Sequence, residues 1–376
     1  MRAPVAVTRT TERPFHANLE ALRGIAALLV VLHHLSLNPG SVLAAFPLLG
    51  QGWLFVDLFF VLSGYVIASV HGECEPTPLA ARCFLIRRFF RLYPLHLATL
   101  LAALFLDVHD GTAQLPGYGA MVAMNLTMTQ AWGVVPGSVL NGPSWSISTE
   151  WAAYLLFAWI CLVIPQRRHR IQLLGAIGLA SLGILVVWRG GSLDGDLVLR
   201  VPRCLMSFAL GAAVWSWSRG ARAMAPGRAF GLQLAVGAAM LGLLVVTIDR
   251  PQLTLLMPLL SAAMIVAMVR DPGSPARRWL ERPVPQWLGR TSYSLYLVHM
   301  PLFGYLMLAT GGWPAHAGGA NLWVAAALGS LFAVAALSYA FIEKPGRALG
   351  RRIADQHYRR AQPSNVAAAP AALPIS

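Results

Sequence analysis

About ten long apolar runs, separated by short arginine-rich loops, restrict this chain to one kind of fold. The first follows Arg23, and the others centre near residues 53–70, 92–107, 147–164, 171–188, 199–217, 229–248, 253–269, 293–309 and 322–341. Runs of this length cross a hydrocarbon core of about 30 Å as helices, which satisfy every backbone N–H and C=O within the segment. Only 12% of the 376 residues are charged, against about 25% in soluble proteins, and the mean hydropathy is +0.60. The expected architecture is an all-α polytopic membrane protein of about ten transmembrane helices. Residues 118–132 are short and carry Asn125, Thr127, Thr129 and Gln130 at their centre, so they are expected to be interfacial or re-entrant, not an eleventh span.

Arginine placement sets the expected orientation. With both termini cytoplasmic, all but four of the 29 Lys and Arg residues fall on the cytoplasmic side, leaving Arg189, Arg200, Arg203 and Arg250 outside. An eleventh span would reverse every later loop and destroy this bias. The net charge of +14 does not point to nucleic acid, because the arginines form separate clusters between apolar runs and no continuous basic face. Cys74, Cys83, Cys161 and Cys204 form no C-x-x-C pair, so free thiols are expected and no metal site is indicated. No small-residue cleavage site follows the first run, which reads as a retained span. The expected layout is a cytoplasmic segment over residues 1–18, a membrane domain over 19–350 and a disordered cytoplasmic tail over 351–376. The end of that tail, from Gln362, is rich in Ala and Pro and has no periodicity.

Ionisable groups inside a bilayer are costly and mark functional sites. Arg23 and His34 lie eleven residues apart, a separation that returns them to one helix face about 16 Å apart. His33 is about 100° off that face. Ser146 and Glu150 share a face at the outer mouth of the fourth run. A carboxylate there orients a base or binds a hydroxyl acceptor, or it is an early acid suited to the helix dipole. Arg88 and Arg91 stand at a cytoplasmic helix edge, where they either hold phosphates with paired guanidinium forks or anchor the helix. Asp57 is expensive unless paired, Ser63 beside Gly64 reads as a close helix contact, and His299 either serves a site or hydrogen-bonds in the core.

Six segments carry a resemblance when taken in order. They are LRGIAALLVVLHH (Leu22–His34), FFVLSGY (Phe59–Tyr65), RFFR (Arg88–Arg91), SWSISTE (Ser144–Glu150), LGRTSYSLYLVH (Leu288–His299) and FIEKP (Phe341–Pro345). Together, over about residues 18–350, they resemble the signature of the membrane acyltransferase 3 family. The resemblance implies O-acylation of carbohydrates or related metabolites, typically with acetyl moved from cytoplasmic acetyl-CoA to sugars of surface polysaccharides at the bacterial cytoplasmic (inner) membrane. The family's arginine–histidine pair falls on Arg23 and His34, its R-x-x-R on Arg88 and Arg91, and its S-x-x-x-E on Ser146 and Glu150. Two positions depart from the pattern: Glu20 stands where Asp is commoner, and Trp151 replaces a common second Glu.

On this reading His34, Glu150 and Arg23 are the catalytic residues, Arg88 and Arg91 bind acyl-CoA, and Ser146, Asp57, Tyr293 and His299 bind the acceptor or support the site. His34 acts as a general base on the acceptor hydroxyl or as a nucleophile forming an acyl-imidazole, the first being favoured because no second nucleophile is visible. Acyl-CoA is expected as a co-substrate, with no bound cofactor; the partners are acyl-CoA, a carbohydrate acceptor and the lipid bilayer. The alternative is a transporter or flippase for a polysaccharide precursor, since Arg, His and acid inside a membrane equally form a substrate or proton path. No inverted repeat is visible in the sequence.

Overall fold

Prolines and short polar residues punctuate the apolar runs into helices. Thr77 caps the helix beginning at Pro78, its Oγ1 accepting from the Ala80 amide at 3.2 Å, and Ser274 does the same for Arg277 at 3.2 Å. Pro202 and Pro258 fall in the first turns of their helices, where the missing N–H has no partner to lose, whereas Pro94 and Pro301 are internal.

A computed structural model describes residues 17–72, 75–135, 139–193, 197–314 and 316–361, which are helical and contain no strand. The helices are α1 (Ala17–Ser36), the single turn α2 (Pro47–Gly50), α3 (Val56–His71), α4 (Pro78–His109), α5 (Tyr118–Leu126), α6 (Ser144–Val163) and α7 (Arg167–Arg189). They continue as α8 (Arg200–Ser218), α9 (Pro226–Asp249), α10 (Leu256–Val269), α11 (Pro275–Leu280), α12 (Pro283–Thr310), α13 (Ala317–Ser338) and α14 (Lys344–Ala361). A π-helical turn, Tyr339–Glu343, joins the last two.

Each of the ten apolar runs forms a helix. Eight segments are long and apolar enough to cross a membrane: α1, α3 with the turn before it, α4, α6, α7, α9, α10 with the turn before it, and the continuous α13–α14 rod. α8 and α12 have the length but fall short in apolarity. The residues responsible are Arg200, Arg203 and Ser207 in one, and Ser292, Tyr293, Ser294, Tyr296 and His299 in the other. These two polar helices pack against two apolar ones, α8 against α3 and α12 against α1.

Two glycine pairs make that packing possible. On α1 and α12, a Cβ at Gly24 would fall onto the Leu288 carbonyl carbon, and one at Gly289 onto the Glu20 carbonyl. On α3 and α8, a Cβ at Gly64 would strike the Phe208 carbonyl, and one at Gly211 the Val61 carbonyl. Small residues at such crossings let backbones approach closely and gain dispersion contacts that lipid cannot replace.

α5 is nine residues long, about 14 Å, and is too short to span. After it the chain turns inward through Met128, which adopts the left-handed conformation at φ 56°, and Gln130, Ala131 and Asn141 are buried. Irregular backbone at this depth persists because protein satisfies it: Ser148 Oγ donates to the Met128 carbonyl at 2.8 Å and accepts from the Ala131 amide at 3.1 Å.

The tail begins later than residue 351. α14 continues to Ala361 because it has a partner: Gly350 packs on Phe90, the Cys83 thiol donates to the Ala354 carbonyl at 3.4 Å, and Arg87 pairs with Asp355 at 2.7 Å. Residues 1–16 and 362–376, which hold most of the expected terminal segments, lie outside the described residues, as does Cys74. Cys83, Cys161 and Cys204 are buried and form no disulfide among the described residues.

The α3–α8 crossing carries a direct prediction. Gly211→Val must push two backbones apart, and overpacking of well-packed sites costs roughly 1–3 kcal/mol or more. In detergent, its thermal unfolding midpoint should fall well below wild type. Gly242→Val, at a position with open space around it, should unfold like wild type; equal midpoints for all three proteins would refute the close crossing.

Candidate active site

Three helices send charged side chains into one cavity of about 130 Å3. α1 supplies Arg23, α4 Arg88 and Arg91, and α6 Glu150; hydroxyls come from Ser63 of α3, Ser146 of α6, and Ser292 and Tyr293 of α12. Arg23 is anchored on α12, with Nε donating to Ser292 Oγ at 2.8 Å and Nη2 to the Gly289 carbonyl at 3.0 Å, and it lies 3.5 Å from Glu20. Glu150 Oε1 accepts from Ser63 Oγ at 2.6 Å and from the Tyr154 hydroxyl. Its Oε2 accepts from no described residue and is accessible from the cavity. Arg88 rests over the Tyr154 and Phe84 rings at 5.6 and 5.8 Å, and neither it nor Arg91 has a carboxylate within ion-pair distance among the described residues. Even with Glu20 beside Arg23, three guanidiniums against two carboxylates leave the cavity cationic. Uncompensated charge is costly away from water, so the arrangement suits an anionic ligand.

Tyr296 lines this cavity and also a second one of about 280 Å3. Its hydroxyl donates to the Pro143 carbonyl at 3.2 Å and accepts from Ser146 Oγ at 2.9 Å, so the side chain stands as a partition. The second cavity holds His34, Trp53, Trp145, Arg200 and Arg203. Because Arg23 and His34 sit near opposite ends of the 20-residue α1, the two cavities lie toward opposite ends of that helix.

Hydrogen bonds assign the proton on each histidine. A carbonyl only accepts, so His299 Nδ1, 2.7 Å from the Tyr296 carbonyl, carries the hydrogen, and Nε2 of the neutral ring is a lone pair. His34 Nδ1 lies 3.2 Å from that lone pair and 2.9 Å from the Val30 carbonyl, and by the same logic it is protonated. His34 Nε2 is therefore the basic nitrogen. It has no partner among the described residues and is accessible from the second cavity. His33 instead bonds through Nδ1 to the Leu49 carbonyl at 3.1 Å, away from either cavity.

Asp57 is wholly buried and forms a bidentate pair with Arg203, at 3.1 and 2.6 Å, with Ser207 Oγ at 3.3 Å. Arg203 completes its bonding with the Leu193 carbonyl at 3.2 Å. Asp57 thus touches neither cavity directly and holds Arg203 against the second one. Tyr293 donates its hydroxyl to the Leu92 carbonyl at 2.7 Å and fixes α12 on α4 at the first cavity. The departure at Glu20 keeps an acid beside Arg23, and Trp151 packs edge-on against Phe89.

The structure brings Arg23, Arg88, Arg91, Ser146 and Glu150 together and places His34 with His299 beyond Tyr296. Ser146 and Glu150 read from sequence as lying at an outer mouth; instead they share a cavity with the R-x-x-R arginines, because the inward turn before α6 buries the helix start and Ser144 is fully buried. Ser63, Ser292, Tyr296, Tyr154, Arg200 and Arg203 are additional. One signal for Tyr296 was present: residues 292, 296 and 299 form an i, i+4, i+7 polar stripe on an apolar helix.

The model of the acyltransferase domain family matches residues 16–343. The BcsY protein of Komagataeibacter xylinus, named as a membrane-bound transacylase, is 28% identical over 88% of this chain and 82% of its own length. The acyltransferase MdmB of Streptomyces mycarofaciens is 34% identical over 40% of this chain and 41% of its own. The peptidoglycan O-acetyltransferase OatA of Listeria monocytogenes is 25% identical over 91% of this chain; the match spans 58% of that protein, less than two thirds of it. No solved structure matches significantly. The chain belongs to the acyltransferase domain family and is a multi-pass membrane acyltransferase.

Proposed function

We propose that the chain is an O-acetyltransferase of a bacterial cytoplasmic membrane, moving acetyl from cytoplasmic acetyl-CoA to a sugar hydroxyl presented from the opposite face. In this reading α8 and α12 also span, giving ten crossings with both termini cytoplasmic and satisfying the arginine bias. The observation that carries the proposal is the pairing of two arginines lacking ion-pair partners in one cavity with the His34 Nε2 lone pair beyond Tyr296. The relatives' names support acyl and O-acetyl transfer, including transfer to peptidoglycan.

Donor chemistry fits the first cavity. Its phosphates are anionic and suit Arg88 and Arg91 at the first cavity, whose space of about 130 Å3 is narrow and suits the slender acyl end of the donor. Acceptor chemistry fits the second cavity. As the acceptor oxygen attacks the thioester carbonyl at the partition, its proton passes to His34 Nε2. The C–S bond then breaks, and the proton returns to the departing sulfur, giving ester and free thiol with His34 restored. His299 holds the His34 ring in the reactive tautomer, the role a carboxylate plays in other histidine bases.

Three outcomes test this. His34→Ala should lower acetyl transfer at least 10²-fold at normal membrane abundance, whereas His33→Ala should keep most activity; equal losses would refute the assignment. Arg88→Lys with Arg91→Lys keeps charge but loses the bidentate fork, worth about 1.5–3 kcal/mol per charged bond, so acetyl-CoA should bind at least tenfold more weakly by titration. Affinities within twofold would make these arginines membrane anchors. A reporter fused after Ala361 should read cytoplasmic; a signal from the opposite face would overturn the ten-span count.

A further inference from the structure

The two arginines of the His34 cavity differ in one respect: Arg203 is neutralised by Asp57, and Arg200 is not. Arg200, half-buried at the start of α8, makes neither a hydrogen bond nor an ion pair among the described residues. Its guanidinium lies over the Trp145 ring at 5.2 Å. An aromatic face steadies a cation without neutralising it. No Asp or Glu is among the described residues lining the cavity, which is otherwise walled largely by aromatic and aliphatic groups. Asp194 and Asp196 lie outside the described residues.

We infer that this cavity is a subsite for an anionic substituent on the acceptor, so that the preferred substrate is an acidic sugar whose carboxylate or phosphate pairs with Arg200 while a neighbouring hydroxyl meets His34 Nε2. The inference rests on the acceptor reading of the second cavity. Its physical basis is the partial desolvation of a half-buried cation that has no ion-pair partner among the described residues, which an incoming anion offsets and a neutral sugar does not. Arg guanidinium suits this role because its planar fork takes both oxygens of such a group. The cavity, about 280 Å3, is near the lower end for small-molecule sites and matches one sugar residue better than an extended chain.

The test is a binding titration of the purified full chain with three oligosaccharides that differ in one group: a hexuronic acid form, its carboxyl-reduced neutral counterpart and a phosphorylated counterpart. Wild type should bind at least one charged form tenfold or more tightly than the neutral one, and the tighter of the two identifies the anion as carboxylate or phosphate. Arg200→Gln should collapse that ratio to within twofold, and Arg200→Lys, which keeps the charge but not the fork, should retain part of it. Three equal affinities for wild type, no binding of any form, or an unchanged ratio in Arg200→Gln would each overturn the inference. Acetyl transfer is read separately on the same preparations. A charged glycan that binds through Arg200 yet receives no acetyl would overturn the acyl-transfer reading and leave the anionic subsite standing.

Discussion

Backbone contact between α1 and α12 at Gly24 and Gly289 governs the site. With no Cβ on either residue, the helices approach closely enough for Arg23 to reach Ser292 and for His34 to reach His299. Three helical turns of α1 separate the two polar groups, and α12 answers each with a partner at the matching height. A side chain at either glycine would separate the helices and lose both contacts together. Tyr296 lies between those contacts on α12, so the packing that aligns the polar groups also places the partition between their cavities.

Cost decides which polar groups are structural. Asp57 and Arg203 are buried and joined by a bidentate pair, and removal of one partner from such a pair typically costs 3–5 kcal/mol. Ser294 likewise donates to Glu343 at 3.0 Å, where the π-helical turn brings that carboxylate inward. Arg88, Arg91, Arg200, Glu150 Oε2 and His34 Nε2 are different: each is left incompletely bonded beside a cavity. Unmet bonding capacity in a partly desolvated cavity is unfavourable, and on the proposed acyl-transfer reading a ligand relieves it, which singles out these five groups as the proposed ligand-facing set.

Much of this was legible in the sequence. All ten apolar runs became helices, the shared face of Arg23 and His34 is met by one helix, and Ser146 and Glu150, read as sharing one helix face, both line the first cavity. Helical periodicity determines such same-helix relations, and one sequence contains it. Relations between helices were not legible. Ser63 read as a packing residue beside Gly64, yet its hydroxyl binds Glu150 because α6 starts deep in the protein, a depth set by the inward turn through Met128 and Gln130. Arg203 read as an outer-loop cation, because its pairing with Asp57 depends on the α3–α8 crossing. The tail boundary failed for a similar reason: α14 is held by α4, a partner more than 250 residues earlier, as the Cys83–Ala354 and Arg87–Asp355 contacts record.

The central claim is that the two cavities face opposite sides of the membrane and meet at Tyr296. It is tested by single cysteines in a cysteine-free background, one at Ser63 in the arginine cavity and one at Gly142 in the His34 cavity, where a Cβ meets only Met300 at 3.9 Å. Oriented vesicles are treated with a membrane-impermeant maleimide from one face at a time. The account predicts that Ser63→Cys reacts only from the cytoplasmic face and Gly142→Cys only from the other. Labelling of both from the same face would contradict it.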